Sequence, residues 1–153
     1  MNRLALMGRV RSLTRDLSNA IFREIDVVDY INEGIDRIKQ LIPEFSAMEK
    51  LSSNTSEPTM LPTHYHHLLA IYSASRLFAQ DERAYQASTL MNEFEQKIEE
   101  LKQSIEDGRT KILDPVTGLP VSAVYEAGYV TENYFEVRNA STFDLDEGIE
   151  GVE

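Results

Sequence analysis

The stretch from Leu61 to Glu95, LPTHYHHLLAIYSASRLFAQDERAYQASTLMNEFE, decides the fold, because it joins two helical patterns through a short charged turn. Pro62 suits the first turn of a helix, where its missing N–H is not needed and its fixed φ is already helical. The spacing predicts a helix over residues 62–80. Its small residues Ala70, Ser73, Ala74, Ser75 and Ala79 lie among Leu68, Leu69, Tyr72, Leu77 and Phe78, so neighbouring helices can approach closely, as expected of a central helix. Asp81, Glu82 and Arg83 make the turn. A further helix is expected over 84–107 on the stripe Ala87, Met91, Phe94, Ile98, Leu101 and Ile105, ended by Gly108.

Upstream, Leu6, Val10, Leu13 and Leu17 recur at spacings of four, three and four, one face of a first helix. Arg9, Arg15 and Asp16 fall on its other face, and Ser18 and Asn19 end it. A second helix is expected from an N-cap at Asp26, on the face Val28, Ile31, Ile35, Ile38 and Ile42, stopped by Pro43. Residues 44–50 fit a short helical turn. Residues 51–59, LSSNTSEPT, have the composition of an exposed loop.

After Gly108 the pattern changes. Residues 114–120, DPVTGLP, are rich in turn formers, and the following VSAVY and GYVTENYFEV carry β-branched and aromatic residues without helical period. They fit short strands. The last ten residues hold five acids and no base, a composition that rarely orders by itself. The expected architecture is all-α. Residues 1–108 form a four-helix bundle core, and residues 109–153 form an extended, short-stranded C-terminal extension with an acidic tail, ordered by partners.

Composition narrows the function. The chain of 153 residues fits one domain with a core of its own, and no apolar run approaches the ~18 residues needed to span a membrane, so no membrane role is expected. Arg3, Arg9 and Arg11 interrupt the apolar residues of the N-terminus, which therefore lacks a signal-peptide pattern. The absence of cysteine excludes disulfides, thiolate metal sites and a cysteine nucleophile. The net charge of −11 is uneven, at +1 over residues 1–43 and −6 over each of 44–108 and 109–153. Such a chain gains little from counterion release on DNA, although an acidic surface would let DNA slide past without sticking.

All three histidines, His64, His66 and His67, are clustered. His64 and His67 share a helix side and could chelate a metal with a distant carboxylate, but Leu68 and Ile71 stand where the next turn would supply a ligand. Polar side chains of a first turn, facing solvent or a neighbouring subunit, account for them better. Glu95, Glu99 and Glu100 fit a solvated helix face beside Lys97 and Lys102, and no base and nucleophile are set together, which argues against an enzyme. No cofactor motif is present. Arg3, Arg9, Arg11 and Arg15 fit a solvated or subunit-facing helix side better than a DNA contact. Tyr125, Tyr129, Tyr134 and Phe135 can be core, or can be anchors that bury themselves in a partner.

Several of these residues together carry a family resemblance. Asp26 with Asn32 and Gly34 marks the second helix, and Leu61, Pro62, Tyr65, His66, His67, Leu68, Leu69, Tyr72, Arg76, Leu77 and Asp81 mark the third. Glu93-Phe94-Glu95 marks the fourth. Over roughly residues 3 to 107 the chain resembles the head-to-tail adaptors of tailed bacteriophages, also called head-completion or connector proteins. The resemblance implies an α-helical bundle that forms a homo-oligomeric ring, generally of about a dozen subunits, beneath the portal protein. It also implies a tail or stopper protein on the other side, DNA passing through the channel, and a place in the virion neck after synthesis in the host cytoplasm. C-terminal extensions of the family commonly reach onto the portal, and Tyr125, Tyr129, Tyr134 and Phe135 would be the partner-binding residues here. Two other expectations stand beside it: a helical adaptor that binds another protein, and a small metalloprotein using His64 and His67.

Overall fold

The computed structural model describes residues 1–121, which form four α-helices and two short 3-10 turns. Helix α1 is Arg3–Thr14, α2 is Glu24–Leu41, α3 is His67–Gln80 and α4 is Ala84–Glu106; the 3-10 turns are Pro43–Phe45 and Thr63–Tyr65. The fold is all-α, and the described residues contain no strand. Helix α3 is central and packs against α1, α2 and α4. Its Leu68, Leu69, Ala70, Tyr72, Ala74 and Leu77 are buried, while Ala79 is exposed.

Small side chains and one glycine set the helix spacing. A Cβ on Gly34 of α2 would stand 3.2 Å from Tyr72 Cδ1 and 3.4 Å from Leu69 Cδ2, so the two helices meet where α2 has no side chain. The Ser73 hydroxyl donates to the Val27 carbonyl at 3.2 Å and the Ser75 hydroxyl to the Ala87 carbonyl at 2.7 Å. These bonds tie α3 to α2 and α4 and satisfy both buried serine hydroxyls. Along α4, Ala87, Phe94, Ile98 and Leu101 are buried as the stripe predicts, and Met91 and Ile105 are half-buried at its margins. Gly108 follows the helix at φ +70°, a left-handed stop that costs glycine little.

Several expectations about helix ends need correction. The first helix ends at Thr14 rather than at Ser18, because Arg15 turns left-handed at φ 57° and its N–H caps the carbonyls of Arg11 and Ser12. Helical register is lost there, so Leu17 is exposed and Asp16, expected on the solvated face, is buried. Helix α2 begins two residues before Asp26. Asp26 lies within its first turn, paired to Arg23 at 3.0 Å, and Val27 rather than Val28 is fully buried. Pro62 opens a 3-10 turn and α3 starts only at His67. The 51–59 loop is exposed over residues 52–55, 57 and 59 as its composition predicts, and it is pinned at one end: Leu51 is buried, its N–H donates to Asn32 Oδ1 at 2.9 Å, and Arg3 donates to Asn54 and to the Ser52 carbonyl.

Beyond α4, the 114–120 turn forms as its residues predict. The amides of Val116 and Thr117 donate to Asp114 Oδ1, Gly118 takes φ +67°, and Leu113 and Pro120 make an isolated antiparallel bridge. Ile112 is buried in the core, and the Val121 amide donates to its carbonyl at 2.8 Å. The expected strands beyond Val121 lie outside the described residues.

Candidate interaction surface

The loop between α1 and α2 is built around one buried carboxylate. Asp16 Oδ1 accepts from the amides of Ala20 and Ile21, and Oδ2 accepts from the Phe22 amide and from Arg11 Nη1 at 2.5 Å. Arg11 is itself buried and donates at 2.7 Å to the Phe22 carbonyl as well. Burial works to raise the Asp16 carboxyl, but the amides of Phe22, Ile21 and Ala20 and the Arg11 guanidinium outweigh it and hold its pKa below the usual value. A loop fixed this firmly still leaves Leu17 and Ile21 exposed, at 79% and 53%. A rigid frame that displays apolar side chains is what a contact surface requires.

Beside this loop runs an open groove of about 430 Å³ between the C-terminal end of α1 and the N-terminal end of α4. Leu13, Arg15, Phe78, Arg83, Tyr85 and Leu90 form most of its wall, and none of its described lining residues is an acid. Tyr85 stands 79% exposed at its edge. Arg83 lies over the Phe78 ring, 5.8 Å from its centroid, and pairs with Asp81 at 2.7 Å. Of the two lining arginines Arg83 is thus already neutralised, and Arg15 carries the groove's remaining positive charge among the described residues. The sequence reading missed this groove because its residues come from three helices.

A second cluster joins α2 to α3. The Tyr72 hydroxyl donates to Glu33 Oε1 at 2.8 Å. Arg76 pairs with the same oxygen at 3.2 Å, misaligned for a hydrogen bond, with its guanidinium over the Tyr30 ring. Burial, then the Glu33 contact, pushes the Tyr72 phenol up to about 12. It stays a protonated donor, and the cluster acts as a clasp between helices.

The histidines do not act together. His66 is buried rather than solvent-facing: its Nε2 lies 2.7 Å from the Leu61 carbonyl, which only accepts, so Nε2 carries the proton. Nδ1 then accepts from the Met1 ammonium at 2.6 Å. Desolvation lowers the His66 pKa and keeps the ring neutral. His64 is exposed against Tyr65, and among the described residues no three His, Cys, Asp or Glu side chains converge as a metal site. Glu95, Glu99 and Glu100 are exposed, Lys97 pairing with Glu100 and Lys102 with Glu99. Of the four N-terminal arginines, Arg3 pins a loop, Arg11 is buried, and Arg9 and Arg15 face solvent. Tyr125, Tyr129, Tyr134 and Phe135 lie outside the described residues.

No helix among the described residues is long and apolar enough to cross a membrane. No family model, curated protein or solved structure matches the chain.

Proposed function

We propose that this chain is a structural virion protein, a head-to-tail adaptor that joins a ring between a portal protein and a tail or stopper protein and leaves a channel through which DNA passes. The observation that supports this reading is where the residues carrying the resemblance fall. Asn32 holds the 51–59 loop against α2, Tyr72 and Arg76 clasp Glu33, and Phe94 packs against Tyr72, so the pattern spans three helices of one core. A net charge of −11 suits a channel that must not retain DNA. Tyr125, Tyr129, Tyr134 and Phe135 are the proposed anchors on the portal.

A gold-labelled antibody against the chain, applied to purified phage particles, tests the reading. Label at the head-tail junction is expected, and its absence from intact and tail-stripped particles alike would overturn the proposal. The exposed Leu17, Ile21 and Tyr85 favour a second reading, an adaptor that binds another protein away from a virion. That reading expects the chain in a soluble complex and not in particles.

A further inference from the structure

We propose that the groove between α1 and α4 is the docking site of this chain's own acidic end, residues 143–150, FDLDEGIE. The inference does not rest on the virion reading. Arg15, together with Arg83 in its pair with Asp81, borders a wall of Leu13, Phe78, Tyr85 and Leu90 with no acid among the described lining residues, on a chain where acids outnumber bases 26 to 15. Its natural occupant is a segment alternating apolar and acidic residues. Residues 143–150 have that alternation: Phe143, Leu145 and Ile149 are the apolar members, and Asp144, Asp146, Glu147 and Glu150 the acids, with no base from Phe143 to the end. Apolar side chains would fill the groove while a carboxylate meets the Arg15 guanidinium, the pairing arginine makes best, and Arg83 keeps its bond to Asp81. Tyr125, Tyr129, Tyr134 and Phe135 all precede this segment in the sequence.

The tether allows it. The Val121 amide is bonded to Ile112, and Thr110 to Ser104, which places the last described residue beside the C-terminal end of α4. The groove lies along Tyr85–Leu90 toward the other end of that helix, about 21–29 Å from Ser104 at 1.5 Å per residue. About six to nine extended residues span that distance, so Phe143, more than twenty residues beyond Val121, arrives with slack. An intramolecular segment acts at an effective concentration in the millimolar range, so even a modest intrinsic affinity fills the groove.

The chain has no tryptophan, so Tyr85→Trp places a single reporter at the groove's edge in the full-length protein. We expect blue-shifted emission and an acrylamide-accessible fraction about tenfold below that of a solvated indole, the occupancy that an intrinsic Kd near 0.1 mM gives at millimolar effective concentration. Adding Phe143→Ser, Leu145→Ser and Ile149→Ser together should restore the solvated spectrum. Arg15→Glu should weaken the protection while leaving the helical circular dichroism unchanged. A solvated reporter in the full-length chain would overturn the proposal, and so would protection that survives the triple substitution. Protection that fades on dilution would assign the groove to a second copy and overturn the intramolecular docking.

Discussion

Replacing Phe94 by alanine tests the packing of α4 on α3 more directly than any other single change. Phe94 is 1% exposed, and its ring lies 5.1 Å from that of Tyr72 at 59°, a tilted contact of the kind aromatic pairs prefer. Tyr72 is held in place from behind by its bond to Glu33, so the hole left by the missing ring cannot close easily. A buried Phe→Ala change costs about 3–5 kcal/mol, against a total stability of about 5–15 kcal/mol for a natural domain. At about 3–4 °C per kcal/mol for a chain of this size, the thermal midpoint should fall by about 10–20 °C. Thermal and urea melts followed by circular dichroism measure this, with Phe94→Leu as a milder companion expected to cost less than about half as much. Pairing Phe94→Ala with Tyr72→Leu should expose a coupling of about 0.5–1.5 kcal/mol beyond simple additivity. A midpoint for Phe94→Ala within about 3 °C of the parent would refute the assignment of this ring to the core.

Gly34→Val should destabilise the protein by about 1–3 kcal/mol, since the new side chain meets Tyr72 and Leu69 at 3.2 and 3.4 Å; a urea midpoint equal to or above the parent's would show that α2 and α3 can separate freely. Stability should also fall in acid in two stages. The His66 pKa is depressed below 6.5, so the unfolded chain binds the extra proton first and stability declines as pH drops below about 6.5 until the folded-state pKa is passed. The Asp16 pKa is likewise depressed below 3.8, so a further decline follows as pH drops below that value. His66→Gln should flatten the upper stage of a urea-midpoint profile against pH and leave the lower one; an unchanged upper stage would remove His66 as its cause. Protein purified without a tag should carry less than about a tenth of an equivalent of zinc, because His66 is committed to Leu61 and Met1; a stoichiometric metal lost in a His64→Ala, His67→Ala variant would contradict this.

The helices were legible because each buries a face at helical period, and periodicity survives in a sequence without any knowledge of partners. Ile31, Ile35 and Ile38 of α2 and Phe94, Ile98 and Leu101 of α4 are buried as their spacing predicts, and α3 is central because its small residues admit three neighbours. Helix ends were harder to read. Arg15 and Glu82 take left-handed φ values without being glycine, so the usual residue marking such a turn is missing. Pro62 has the chemistry of a helix start, yet the chain spends one 3-10 turn there before α3 begins, with His66 turned inward onto Leu61.

The Arg11–Asp16 pair shows why the polar part of the design stays hidden longest. Periodicity sorts residues by which side of an ideal helix they occupy, and on that scheme Asp16 belongs outside with Arg15. The helix stops at Thr14, however, and one left-handed residue swings Asp16 inward, where three amides and a guanidinium await it. The same reversal turns Leu17 outward. A buried carboxylate and an exposed leucine are thus two results of a single backbone turn. Burying Asp16 alone would be costly, and it is tolerated because three loop amides and the Arg11 guanidinium of α1 close around it. Replacing Asp16 by Leu would remove the charge but strand the amides of Ala20, Ile21 and Phe22 and the guanidinium of Arg11, so it should destabilise more than Asp16→Asn, which keeps one acceptor. If Asp16→Leu proved the more stable of the two in urea, the loop would owe its shape to apolar packing and the carboxylate would be incidental. The solvent-facing side of that same loop borders the groove, so a loosened loop should also raise the quencher accessibility of an indole placed at Tyr85.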